Sequence, residues 1–324
     1  MNLTTTYLGI PLPHPLIIGS SSLTDDLETV KELADHGAAA LVLRSLYAEE
    51  IAGEQMAAFF NSERHSESSP EAGSYFPDPE LALGPDEYLE HLRRVKEAVG
   101  IPVIASLNGA SAGSWISYAR LLQEAGADAL ELDLYHSASD ASASAAEVEH
   151  HMTEIVREVK QAVSIPVAAK ISPLFTAFAN FASQLDSAGV DGLVVFTRFH
   201  KVDIDVVDLE VLRSMELSDS SELQLRLRAA AVMAGRVTAD IAIAGGVHTA
   251  LDVIKATMAG ACVTQIVSAI LRNGPRHLPT LLAEVEAWMT ENEWERLSEM
   301  RGNMSFQRIP DPAAYERATY RKFH

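Results

Sequence analysis

A short phrase recurs along this chain and narrows the folds open to it. Small residues and a glycine close a helix, and an apolar strand follows within a few positions. The phrase reads His36-Gly-Ala-Ala-Ala-Leu-Val-Leu43, then Ala125-Gly-Ala-Asp-Ala-Leu-Glu-Leu132, Ala188-Gly-Val-Asp-Gly-Leu-Val-Val195 and Ala259-Gly-Ala-Cys-Val-Thr-Gln-Ile266. A variant alternates with it: Val99-Gly-Ile-Pro-Val-Ile-Ala105, Val163-Ser-Ile-Pro-Val-Ala-Ala169 and Thr238-Ala-Asp-Ile-Ala-Ile-Ala244. Glycine after a helix is the expected C-cap. Proline can open a strand without disturbing its ladder.

Eight strands follow from this pattern, at about 15–20, 38–44, 102–107, 129–134, 166–171, 192–197, 241–245 and 262–267. Most are continuously apolar, as in a parallel sheet covered on both faces. The segments between them carry helical periodicity, for example residues 28–36, 88–99 and 147–163. Strands alternating with helices in this number predict the α/β class and a (β/α)8 TIM barrel. An open doubly wound sheet would want Gly-x-Gly-x-x-Gly after its first strand. Here that turn reads Gly19-Ser-Ser-Ser-Leu. The expectation is a single domain over 1–324, with a C-terminal helical extension from about 293.

Long loops are expected at the C-terminal face, where barrel active sites sit. Residues 61–86 hold four prolines, and residues 198–222 join strand 6 to its helix. The low-complexity run 137–144 reads either as a flap over the site or as a solvated linker.

Charge narrows the partners. The formal net charge is −20, so neither nucleic acid nor an anionic membrane is the expected partner. Any anionic ligand must be gripped by local donors. The single cysteine, Cys262, forbids an intrachain disulfide and suits a reducing cytoplasm. No secretory leader and no membrane span are expected. No metal constellation stands out, because the adjacent His150 and His151 point different ways on a helix.

The candidate site gathers at strand ends. Strand 7 runs into Gly245-Gly246, and strand 8 ends at Val267-Ser268 with a short helical run behind it. Backbone amides, a hydroxyl and a helix N-terminus converging there would suit a phosphate. Paired glycines would let a ligand approach the main chain. Strand 5 carries Lys170, which is costly to bury unless something anionic meets it. It reads either as a cation facing an electron-rich cofactor or as the partner of Glu131 or Asp133. Arg44, ending strand 2 beside Ser45, is a cation at the mouth or at the rim. Strand 1 ends in Gly19, Ser20 and Ser21, and strand 3 in Asn108. Strand 4 leads from Asp133 to His136, an acid–base pair by position.

Thr5-Thr-Tyr-Leu-Gly-Ile-Pro-Leu-Pro-His-Pro-Leu16, Lys170 within Ala-Lys-Ile-Ser-Pro, Gly245-Gly246 and Gln265-Ile-Val-Ser-Ala-Ile270 together resemble the dihydroorotate dehydrogenases, the soluble class 1 branch most closely. The likeness spans nearly the whole chain. It implies FMN at the barrel mouth, with the phosphate on Gly245, Gly246, Val267 and Ser268, where the family favours Gly-Thr for the last two. It matches Lys170 to the lysine against the flavin ring and Gly19-Ser20-Ser21 to the family's Ala-Ser-Gly. Arg44-Ser45 stands for its Lys-Ser. Asn108 and Thr197 complete the implied cofactor contacts. The family's Asn-Leu-Ser-Cys-Pro-Asn becomes Asp133-Leu-Tyr-His136-Ser-Ala138, so His136 holds the position of the base, and its strand 6 Asn-Ser becomes Thr197-Arg198. The resemblance implies oxidation of dihydroorotate or a related dihydro compound by hydride transfer to flavin, in a homodimer. A phosphate-binding lyase or isomerase using Lys170, and a flavin-binding protein without catalysis, are the alternatives.

Overall fold

The computed structural model describes residues 1–47, 85–108, 112–135, 140–197, 202–213 and 216–316. Eight parallel strands close into a barrel: β1 (Leu16–Ile18), β2 (Leu41–Tyr47), β3 (Val103–Asn108), β4 (Ala129–Asp133), β5 (Val167–Ile171), β6 (Gly192–Val195), β7 (Asp240–Ala244) and β8 (Val263–Ile266). Each strand pairs with its neighbours in chain order, and β8 returns to β1. The helices around it are α1 (Leu27–Asp35), α2 (Pro85–Ala98), α3 (Ala112–Glu124), α4 (Ala145–Ala162), α5 (Phe178–Ser187), α6 (Leu223–Met233), α7 (Ala250–Ala259) and α8 (His277–Glu291). This is the expected (β/α)8 architecture.

The recurring phrase does what its chemistry suggests. Gly37, Gly126 and Gly189 follow α1, α3 and α5 at φ 89°, 99° and 94°. Asp128 and Asp191, two residues after Gly126 and Gly189, accept the backbone N–H groups of Val103 and Val167 at 2.7 Å and the ammonium groups of Lys96 and Lys160. Each aspartate thus ties the start of one strand to its neighbour. Residues of the strands then alternate between two buried layers. Leu41, Leu43, Val103, Ala105, Leu130 and Val167 pack outward on the helices. Val42, Ile104, Ala129, Ala168, Val194, Ala242 and Val263 fill the interior.

A hairpin absent from the sequence reading, Thr5–Tyr7 with Ile10–Leu12, plugs the N-terminal end of the barrel. Its turn residues, Leu8 and Gly9, both have positive φ, the primed turn that matches strand twist. Tyr7 and Leu8 enter the interior beside Gly192, where a Cβ would lie 2.7 Å from the Leu8 side chain. Strand β6 therefore begins with glycine to make room for the plug.

Beyond α8 the chain crosses the outer helices through the short helices Leu297–Met300 and Ala313–Glu316. Phe306 there donates its N–H to Ala231 and stacks under Arg236, 4.6 Å from the ring centre. Within the long 198–222 connection lies a second hairpin, Val202–Asp205 with Glu210–Arg213. Its alternation is period 2, but the stretch is read as a loop when taken only as a link between β6 and α6. The low-complexity run ends in order: Ser144 caps α4 in a capping box with Glu147. Residues 137–139 of that run and 61–84 of the other long loop lie outside the described residues.

Candidate active site

One cavity of about 340 Å³ opens at the C-terminal mouth of the barrel. That lies within the range of small-molecule and cofactor sites. Its wall includes Gly19, Ser20, Ser21, Arg44, Ser45, Lys170, Thr197, Gly245, Gly246, Val267 and Ser268. Asn108 is not part of that wall; its side-chain amide donates to the Asp133 carbonyl at 2.7 Å and steadies the end of β4. His136 lies outside the described residues.

At the β7–β8 side, Gly245 and Gly246 have φ 85° and 77°. The reason for glycine differs from the expected one. A Cβ on Gly246 would lie 2.5 Å from the Leu223 backbone nitrogen, and one on Gly245 would lie 2.9 Å from the Arg226 guanidinium. The paired glycines admit the start of α6, not only a ligand. Ser218 bridges the turn to β8: its N–H donates to Ser268 Oγ at 3.1 Å, and its hydroxyl accepts the Gly246 N–H at 3.4 Å. The same hydroxyl meets His248 Nε2 at 3.2 Å. Burial, aided by the nearby Arg272 charge, holds the His248 ring below the usual histidine range, so a neutral imidazole faces the serine. The hydroxyls of Ser218 and Ser268 and the Gly245–Gly246 turn thus line the cavity on this side, polar groups of the kind that meet a phosphate.

Arg226 was not foreseen. Its guanidinium donates to the carbonyls of Ala244 and Glu222, pinning the last residue of β7 to the start of α6. A sequence signal exists: Leu223, Arg226, Ala230 and Met233 share the buried face of α6, and a cation there is unusual.

Across the barrel the wall is made of charge. Lys170 Nζ donates to Glu131 Oε1 at 3.1 Å, and Glu131 Oε2 accepts the Gln265 amide. Asp133 Oδ1 accepts the Thr197 hydroxyl at 2.6 Å. Burial pulls Lys170 down, but Glu131 and Asp133 together outweigh it and hold the ammonium above its ordinary range. Both readings of Lys170 therefore meet in one place: it pairs with a buried carboxylate and also lines the cavity. An ammonium held charged is a poor Schiff-base nucleophile, which needs a lowered pKa.

Strand β2 contributes through a bulge. Its register with β3 shifts between Val42 and Ser45, so one extra residue is accommodated there. Ser45 turns inward to meet Ser106 Oγ at 2.7 Å and Ser20 Oγ at 3.2 Å. Arg44 sits at the rim of the cavity, with Nε on Asp25 Oδ1 at 3.0 Å.

A sequence profile described as dihydroorotate dehydrogenase matches residues 2–289. The chain belongs to the dihydroorotate dehydrogenase family. Flavin dependence is the trait of that family, and its members are oxidoreductases acting on CH–CH bonds. The dihydroorotate dehydrogenase B (NAD(+)) catalytic subunit of Thermoplasma acidophilum is 28% identical over 311 residues, covering 93% of this chain and 98% of the relative. The protein of the same name from Methanocaldococcus jannaschii is 24% identical over 305 residues, covering 89% and 94%. Among the described residues no helix is long and apolar enough to cross a membrane, and no cluster of three metal-ligating side chains occurs.

The residues present fit a flavin. The phosphate-type donors lie at β7 and β8, and a buried ammonium lies across the mouth at β5. Gln265, also in the wall, has a buried Oε1 with no hydrogen-bond partner among the described residues, an acceptor that a ligand N–H could satisfy.

Proposed function

We propose that this chain is an FMN-dependent oxidoreductase that oxidises a CH–CH bond of a small dihydro compound, dihydroorotate being the one its relatives are named for. The observation that carries this is the single cavity whose wall holds nearly every residue that the resemblance assigns to the cofactor. FMN, when bound, supplies the hydride acceptor. Gly245, Gly246, Val267 and Ser268 hold its phosphate, and Ser20, Ser21, Arg44, Ser45 and Thr197 line its bed. The Lys170 ammonium holds the negative charge that two-electron reduction brings into the site. His136, three residues beyond Asp133, is the base that takes the proton from the carbon next to the one losing hydride. The substrate thus loses one hydride and one proton and gains a double bond.

A homodimer is the assembly implied by the resemblance. The 202–213 hairpin exposes Ile204, Val206, Val207, Leu209 and Val211, apolar surface that a second copy would cover. The relatives' names, catalytic subunit, favour a further subunit that carries electrons away. The lone cysteine suits a reducing cytoplasm.

The test is a visible spectrum. Purified protein, reconstituted with FMN if needed, is expected to be yellow and to bleach anaerobically on adding a suitable dihydro compound. Protein that stays colourless after reconstitution overturns the reading.

A further inference from the structure

Gln265 reaches across the barrel. It starts on β8, and β4 stands opposite, four strands away around the closed sheet. Its side-chain amide donates to Glu131 Oε2, while Glu131 Oε1 accepts the Lys170 ammonium at 3.1 Å. Gln265 and Glu131 are both buried, at 1% exposure each. A carboxylate only accepts hydrogen bonds, so the end of the amide that faces Glu131 is its NH2, and the carbonyl end is turned away. That carbonyl oxygen, Oε1, is buried without a hydrogen-bond partner among the described residues. Gln265 belongs to the cavity wall. Gly19, beyond the end of β1, has no side chain to cover the oxygen: a Cβ there would lie 3.4 Å from Oε1 and 3.0 Å from Val267 Cγ2. Its φ is not positive, so the backbone alone does not call for glycine at that place. A buried acceptor left unmet is destabilising, and beside a cavity it marks where a partner belongs.

We infer that Gln265 is a further cofactor-binding residue, whose Oε1 accepts a hydroxyl of the FMN ribityl chain. Val267, on the phosphate side of the cavity, is two residues beyond Gln265, and both line the wall. That separation is at most about 7 Å of chain. Counted from its phosphate, FMN presents the ribityl hydroxyls before the ring N–H, so the donor nearest to this strand is an O–H. One side chain then joins the phosphate arm of the cofactor, through Glu131, to the Lys170 ammonium across the mouth. This rests on the flavin reading above and adds a contact that neither the phosphate donors nor Lys170 supplies.

Three probes test it: FMN, the same flavin phosphate with a plain pentyl chain in place of ribityl, and FMN methylated at the ring N3. Equilibrium dialysis against protein stripped of flavin gives the affinity of each. The wild type is expected to bind FMN about tenfold more tightly than the pentyl analogue. Gln265→Met keeps the length of the side chain and removes the acceptor. It is expected to shrink that ratio about fivefold and to leave the ratio of FMN to the N3-methyl analogue unchanged. A residue that only holds Glu131 in place would weaken all three probes alike, and unchanged ratios overturn the inference. Collapse of the N3-methyl ratio instead assigns Oε1 to the ring and overturns it as well. If Gln265→Met folds poorly, Gln265→Leu takes its place, and a wild type that binds the pentyl analogue as tightly as FMN overturns the inference without any variant. All of these outcomes leave the flavin reading standing. Protein that takes up no FMN overturns both.

Discussion

The two ends of the barrel interior are equally buried and chemically opposite. On β3 the inward residues run from Ile104 to Ser106, on β4 from Ala129 to Glu131, on β5 from Ala168 to Lys170 and on β8 from Val263 to Gln265. A step of two residues, one repeat of the strand, turns an apolar layer into a polar one on four strands. The lower layer is closed by the hairpin plug, with Tyr7, Leu8 and Leu12 among its members. The upper layer is a network of hydroxyls, an amide, a carboxylate and an ammonium. A buried ion pair stabilises a fold less well than apolar packing of the same volume. The upper layer is therefore explained by what it does at the mouth, and the lower layer by what it does for stability.

The sharpest way to break that division is Lys170→Met. It leaves the Glu131 carboxylate buried without its ammonium, at a cost of about 3–5 kcal/mol. Urea unfolding would measure this, and the visible spectrum should show flavin lost or weakly held. Adding Glu131→Gln should recover most of the stability and none of the flavin. A single variant as stable as the wild type would mean the pair is not what orders the upper layer. The pH dependence has a definite sign. The folded Lys170 value is raised, so its contribution is complete below the unfolded lysine value of about 10.4 and fades as pH climbs through the folded value. The stability gap between wild type and Lys170→Met should narrow on that alkaline limb.

The division also explains which parts were legible in the chain. Helix-capping glycines and fully buried strands leave local marks, so the barrel could be read directly. Lys170 stood out because a charge inside Val-Ala-Ala-Lys-Ile breaks an apolar run. The Gly245-Gly246 turn showed for the same local reason. What stayed hidden depends on residues far apart in the chain. Arg44 is paired with a residue in the β1–α1 connection, and its placement follows from a bulge set by the β2–β3 register. Ser218 reaches Gly246 and Ser268 from a connection whose course no local pattern reveals. The N-terminal plug depends on Gly192, far along the chain, being small.

Gly246 tests the phosphate side of the mouth, and the protein carries its own control. Gly246 and Gly274 share φ 77°, but a Cβ on Gly274 meets nothing within 4 Å. Gly274→Ala, at φ 77° and ψ 171°, should cost about 1–3 kcal/mol, the backbone strain alone. Gly246→Ala adds a clash with the backbone of Leu223 and should cost about 2–5 kcal/mol in all. It should also weaken FMN binding, because the amides of the turn would shift with α6. Equal costs for the two variants would mean that the turn yields freely and that glycine is there for its φ alone.

The smallest effect makes the finest distinction between the two layers. Ile104 and Ser106 are neighbours on the inward face of β3, one in each layer. Ile104→Val removes one buried methyl and should cost about 0.5–1.5 kcal/mol. Ser106→Ala removes the hydroxyl that meets Ser45 at 2.7 Å, and should cost about 0.5–1.5 kcal/mol. Thermal unfolding should barely separate them. Flavin titration should, because Ser45 lies in the cavity wall and Ser106 holds it there, whereas Ile104 touches only the apolar layer below. Equal FMN affinity in the two variants would show that the serine chain is ordinary core polarity, and that the functional layer begins one residue pair nearer the mouth.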